Sequence, residues 1–210
     1  MEPSSNRSTK DRILNLIKKE TTMTVNGLGE RLGITHMAVR KHLNTLEKDQ
    51  LIDVQLEKQP MGRPLQVYSL SEKGERLFPK NYEGITVEFL HDIKDIYGEE
   101  SIQQLFKKRE KRLTEEYTTL VQNKSNNDKM QEIIKIQNEK GYMADISVID
   151  ERTYELTEYN CPILAVANEF KTACQCETQM FKNVLDAEQV KRISCKTEGN
   201  NHCKFLIQFR

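Results

Sequence analysis

Cysteine is missing from the first 160 residues of this 210-residue chain, and all five copies fall in the last fifty, at Cys161, Cys174, Cys176, Cys195 and Cys203. Long apolar runs are missing too. None approaches the roughly 20 residues needed to span a bilayer, and the opening Met1–Arg7 has no apolar core of the secretory kind. These two absences lead us to expect no membrane span and a cytoplasmic protein, where clustered thiols serve metal or redox chemistry more often than structural disulfides. An odd cysteine count also fits poorly with a fully paired framework. A catalytic constellation is lacking as well: the four histidines, His36, His42, His91 and His202, are scattered, and neither a Gly-rich phosphate loop nor a nucleophile motif is visible. An enzyme is therefore not expected.

What is present is charge, unevenly placed. Asp, Glu, Lys and Arg make up 30% of the residues against 37% hydrophobic, and the formal net charge is zero. Residues 1–80 nevertheless hold 14 Lys and Arg against 10 Asp and Glu, while residues 81–210 hold 18 against 22. A basic amino-terminal part joined to an acidic remainder suits a nucleic-acid-binding module carrying a second, regulatory domain.

The first fifty residues read as three helices. Ser8-Thr9-Lys10-Asp11 approximates a capping box and opens a helix with Ile13, Leu14, Leu16 and Ile17 on its inner side. Thr24 caps Val25–Leu32, and Gly33 stands where a left-handed C-cap is favoured. Thr35 caps a third helix to Lys48, with Met37, Val39, Leu43 and Leu46 expected inside. Helix, short Gly-containing turn, helix is the helix-turn-helix pattern, whose second member enters the major groove. His36, Arg40, Lys41 and Asn44 then face outward. Arg and Asn read guanine and adenine bidentately, whereas Lys41 and Thr35 suit phosphate. Strands Ile52–Leu56 and Leu65–Leu70 follow, joined by a tip containing Pro60-Met61-Gly62-Arg63-Pro64. Such a hairpin is a wing, with Arg63 aimed at a minor groove and Lys58 at phosphate.

Amphipathic helices are expected at Ile85–Tyr97 and Ser101–Val121, the second with a narrow stripe suited to pairing with a copy of itself. Asn123–Asp128 reads as a linker before a helix at Lys129–Glu139. Strand-like Ala144–Ile149 and Tyr154–Tyr159 come next, then helices Pro162–Phe170 and Cys174–Leu185, then a closing hairpin of Val190–Lys196 and Lys204–Phe209. Cys161 precedes a helix with Pro at its first position, where exposed N–H groups would lower a thiol pKa. Cys195 and Cys203 flank the hairpin turn and could approach each other. The fold class is α+β: residues 1–80 a winged helix-turn-helix domain, 81–127 a helical linker and dimerisation segment, 128–210 a small α/β cysteine domain.

Three stretches carry a family resemblance: Gly62-Arg63-Pro64 with Val67–Gly74 and Leu77-Phe78-Pro79, then Asn160–Ala167 leading to Cys174, then Gly199-Asn200-Asn201-His202-Cys203-Lys204-Phe205. From about residue 8 onward the chain resembles the SufR family of iron–sulfur-cluster-sensing repressors. Its closing hairpin looks like the small-ligand domain named after vinyl reductases. The family pattern places four cysteines with twelve, thirteen and fourteen residues between them. Cys161, Cys174 and Cys203 match it, but the third position here is Glu188. The resemblance implies a homodimeric repressor on a double-stranded DNA operator, with a [4Fe-4S] or [2Fe-2S] cluster on Cys161, Cys174, Cys203 and a fourth ligand. Cys195 is the strongest substitute, ahead of Cys176 and of Glu188 itself. Zinc on the same sulfurs, or on three with His202, and a Cys195–Cys203 disulfide are the alternatives.

Overall fold

The computed structural model describes residues 8–210, so Met1–Arg7, read above for the missing apolar core, lie outside the described residues. The chain divides between Lys80 and Asn81 into two compact units, each taken by itself below.

Unit 1 contains α1 (Thr9–Glu20), β1 (Thr22–Thr24), α2 (Val25–Leu32), α3 (His36–Lys48), β2 (Ile52–Glu57), β3 (Leu65–Leu70) and the single turn α4 (Glu72–Glu75). Local chemistry sets its boundaries. Ser8 and Asp11 form the reciprocal capping box at α1. Thr24 and Thr35 accept from the Gly27 and Ala38 amides at 3.1 and 3.3 Å. Gly33 closes α2 at φ +67°, a conformation that costs a side-chain-bearing residue energy. The antiparallel sheet has the order β1-β3-β2, with Ile52 opposite Leu70 and Glu57 opposite Leu65. Ile13, Leu14, Ile17, Leu28, Val39, Leu43, Leu46, Ile52 and Tyr68 make one core beneath the three helices. Met37 is a correction to the expected inner face: it is 79% exposed.

Unit 2 runs α5 (Tyr82–Tyr97), α6 (Glu99–Val121), α7 (Asn126–Glu139), β4 (Ala144–Val148), β5 (Thr153–Glu158), α8 (Leu164–Glu169), α9 (Thr172–Leu185), β6 (Gln189–Ser194) and β7 (Cys203–Gln208). Four antiparallel strands lie in the order β4-β5-β7-β6. Side chains of α6, α7 and α9 fill one face of the sheet around Phe181 and Phe205, whose rings meet edge-on at 5.0 Å. A second cluster, with Ile102, Phe106, Ala167, Phe170 and Ala173, ties α5, α6, α8 and α9 together.

Two expectations change here. Residues 81–127 are not a segment of their own, because Ile102, Phe106, Tyr117 and Val121 of α6 are buried within the unit rather than left free for a second copy. The expected linker 123–128 is partly helix, since Ser125 accepts from the Asp128 amide and starts α7 at Asn126.

Candidate functional site

Two sites emerge, one in each unit. In unit 1, α3 is positioned by its buried edge, Val39, Leu43 and Leu46, which turns the opposite side to solvent. His36, Arg40, Lys41 and Asn44 are all exposed there, and Met37 lies among them. A methionine on that face can meet the methyl of thymine by apolar contact. Thr35 is exposed, but its hydroxyl is engaged as the α3 cap. The approach of α2 to α3 is close: a Cβ on Gly29 would stand 2.9 Å from His36 Cδ2 and 3.2 Å from the Ile34 carbonyl oxygen. Gly29 therefore lets the turn close and seats the His36 ring.

Lys58 and Arg63 are exposed in the loop between β2 and β3. Arg40 of α3 and Arg63 of that loop line one groove, with Asn26, Leu56 and Pro64. Asn26, in the first turn of α2, was not singled out from the sequence. Its cue is position, since the first turn of the leading helix-turn-helix member presents free N–H groups to a phosphate.

The site in unit 2 is built on Arg192 of β6. Its guanidinium lies over the Phe205 ring, 4.3 Å from the centroid. It donates to Glu177 Oε2 and to the Cys174 carbonyl oxygen at 2.9 Å each, and to Thr178 Oγ1 at 3.3 Å. Its Nη1 is 3.9 Å from Cys195 Sγ. Cys195 Sγ in turn stands 4.0 Å from Cys174 Sγ and 3.2 Å from Thr197 Oγ1. Cys203 Sγ accepts from the Lys196 amide at 3.5 Å. A buried polar chain adjoins this group: Tyr117 donates to Gln137 at 3.0 Å, and Gln137 donates to Glu158 at 2.6 Å.

The thiols respond to that setting. Burial pushes Cys174 up to about 11 and Cys203 up to about 12, with Arg192 opposing the shift in both. Cys195 is also penalised by burial, yet its net shift is downward, because hydrogen bonds from Thr197 and the charge of Arg192 favour the thiolate. Cys161 departs from expectation. Pro162 heads a turn in which the Leu164 amide donates to the Cys161 carbonyl at 3.1 Å, and α8 begins only at Leu164. The Ile163 amide of that turn favours the Cys161 thiolate, but burial outweighs it and raises the thiol pKa. Glu158 is raised well above the usual carboxylate range by burial and by the neighbouring Glu177.

Among the described residues, no three His, Cys, Asp or Glu side chains are gathered closely enough to hold a metal ion as they stand. The donor chemistry still suits soft metals, with thiols adjoining one guanidinium. The 4.0 Å between Cys174 and Cys195 is near the roughly 3.8 Å edge of a tetrahedron with metal–sulfur bonds of about 2.3 Å. Cys176 faces away, lining a groove with Lys107 and Glu110 of α6, and Glu188 is exposed ahead of β6. Cys195 is thus the sulfur best placed to join Cys174.

A family model described as winged helix-turn-helix DNA-binding matches residues 7–53. Unit 1 carries a winged helix-turn-helix domain. No curated protein matches the chain. Among solved structures, a MarR family regulator from Neisseria meningitidis is 22% identical over 57% of this chain and 82% of its own, with a TM-score of 0.31. PadR of Bacillus subtilis in complex with operator DNA is 16% identical over 65% and 94%, also at 0.31. MarR of Staphylococcus aureus with salicylate and kanamycin is 21% identical over 64% and 71%, at 0.29. Among the described residues no helix is long and apolar enough to cross a membrane.

Proposed function

We propose that the chain is a transcriptional regulator that binds an operator through α3 and the wing. The observation that carries this reading is the shared groove, in which Arg40 of the recognition helix and Arg63 of the wing sit together. In this reading Arg40 and Asn44 read base edges, Arg63 enters the minor groove, and His36, Lys41, Thr35 and Lys58 contact the backbone. Selection from a random double-stranded DNA pool tests it. Enrichment of a defined site, weakened by Arg40→Ala, is expected, and binding that never exceeds the random pool overturns it.

Two copies on two half-sites complete the proposal. The support is α5, which exposes Tyr82, Ile85, Phe89 and Ile96 at 72, 43, 59 and 69% along one side in heptad spacing, with Asp92 at the interrupting position. These side chains present roughly 500 Å² of mainly apolar surface, against roughly 800 Å² per partner in a standard interface. Phe89→Asp is expected to give a monomer in sedimentation. A dimer unaffected by it would move the interface elsewhere.

The regulatory input is assigned to the sulfur site, with an iron–sulfur cluster on Cys161, Cys174, Cys195 and Cys203 as the cofactor suggested by the SufR resemblance and by the soft donor set. Bound there, such a cluster would supply lability to oxidants. The protein's own part is to supply the sulfurs, to offset their charge with Arg192, and to keep water out with Phe205 and Phe181. Anaerobic reconstitution with iron and sulfide is expected to give visible absorption that Cys161→Ser and Cys203→Ser diminish. A colourless protein holding one zinc per chain would replace the cluster with a structural metal.

A further inference from the structure

The geometry points to a second use of this site: Cys174 and Cys195 form a dithiol couple that a hydroperoxide closes to a disulfide. The inference takes the regulator reading as its setting but rests on the sulfur positions alone. The two sulfurs are 4.0 Å apart. A disulfide requires about 2.05 Å, so a closure of about 2 Å is enough, within reach of side-chain rotation and a small shift. Cys174 lies in the first turn of α9, half-buried, and Cys195 follows the last residue of β6. The partner expected from sequence, Cys203, is instead engaged by the Lys196 amide, and Cys176 lines a separate groove with Lys107 and Glu110. The Thr197 hydroxyl at 3.2 Å and Arg192 Nη1 at 3.9 Å both adjoin Cys195 Sγ, which makes this buried thiol the attacking sulfur once a peroxide reaches it.

The chemistry balances with a hydroperoxide as oxidant. Cys195 sulfur attacks the outer peroxide oxygen, the O–O bond breaks, and the departing alkoxide or hydroxide takes up the thiol proton. Cys195 is then a sulfenic acid. Cys174 sulfur attacks the Cys195 sulfur, an S–S bond forms, and the hydroxyl leaves as water with the Cys174 proton. Two thiols and one hydrogen peroxide thus give one disulfide and two waters. The bond would tether β6 to α9 and would displace Cys195 from Arg192 and Thr197, so oxidation would be felt by the buried ion pair beside it.

The test uses the full chain, purified anaerobically without metal, treated with equimolar hydrogen peroxide and blocked with N-ethylmaleimide. Trypsin separates the relevant cysteines, since cleavage after Arg192 and Lys196 releases Ile193–Lys196 with Cys195 alone and leaves Cys203 in Thr197–Lys204. The expected result is loss of two hydrogens and a cross-link between Ile193–Lys196 and Thr172–Lys182, retained in Cys176→Ser and in Cys203→Ser. Cys174→Ser should instead accumulate a dimedone adduct at Cys195. A Cys195–Cys203 cross-link, or five free thiols after treatment, overturns the proposal. Iron and sulfide content after reconstitution, measured separately, reports on the cluster reading, so the two can fail independently.

Discussion

Removing Arg192 alone should damage unit 2 more than removing Arg192 and its partner together. The pair Arg192–Glu177 is 2.9 Å long, with side chains only 12% and 8% exposed. Arg192→Met leaves the Glu177 carboxylate buried without its counter-charge and strips donors from the Cys174 carbonyl and from Thr178. Breaking one side of a buried pair costs about 3–5 kcal/mol, whereas replacing both sides with apolar residues of similar volume is near neutral or favourable. For a unit of this size about 3 °C of Tm accompanies each kcal/mol, so the single variant should lower the unit 2 transition by about 10–15 °C. Arg192→Met with Glu177→Leu should return to within about 3 °C of the parent. Differential scanning calorimetry is the assay, because the transition of unit 1 serves as an internal reference. Two outcomes refute the reasoning: a shift below about 3 °C for Arg192→Met, or a double variant that loses the sum of the singles, which would show no coupling between the partners.

Three further outcomes are expected. Arg40→Ala should cost about 1–3 kcal/mol on the selected operator and relax specificity at one base pair, while Lys41→Ala should weaken all sequences alike and lower the salt slope by about 1; anisotropy titrations at several salt concentrations read both. Gly74→Ala places a Cβ 2.0 Å from the Leu51 carbonyl oxygen, where backbone must yield, so the unit 1 transition should fall by about 2–3 kcal/mol or more, and an unchanged transition would show that α4 is not held there. Glu158 keeps a proton in the folded unit that the unfolded chain releases above its ordinary carboxylate pKa. The stability of unit 2 should therefore fall as pH rises through and beyond about 4.5, by up to about 1.4 kcal/mol per pH unit, until Glu158 ionises in the folded state. Glu158→Gln should flatten that slope in urea titrations, and an identical slope in both proteins would reassign it.

The helices of unit 1 were legible because each end carries its own chemistry: Ser8 with Asp11, Thr24, Gly33 and Thr35 all act locally. The exposure of Met37 was legible too, on stricter spacing. Val39, Leu43 and Leu46 are separated by four and three residues and share a face, and a residue two before Val39 lies off it. Strand β1, three residues long, is too short to show alternation and exists because β3 offers Thr22–Thr24 a partner. In unit 2 the strands and most helices could be anticipated, but the ion pair beside the cysteines could not. Glu177 and Arg192 are fifteen positions apart on different elements, and neither residue type announces burial. The one local hint is a glutamate inside the inner face of α9, between Cys176 and Met180. The pairing of Cys195 with Cys174 rather than with Cys203 depends on where α9 packs against β6, which no cysteine spacing encodes.

Charge explains why the proposed metal and disulfide chemistries both suit this site. Arg192 is shared by Glu177, Cys174 and Cys195, and Glu158 and Cys203 also feel its field. One guanidinium cannot neutralise several anions in an apolar surround, so Glu158 holds its proton, and Cys174 and Cys203 hold theirs. Only Cys195, with Thr197 added, is shifted the other way. A metal relieves the constraint by bringing positive charge as the thiols lose protons. A disulfide relieves it by removing two ionisable groups at no cost in charge. Leaving the thiols free and ionised is the state the site resists. That resistance makes Arg192 the residue through which either event would reach the core, since its contacts to α9 must adjust whenever the sulfurs change partner.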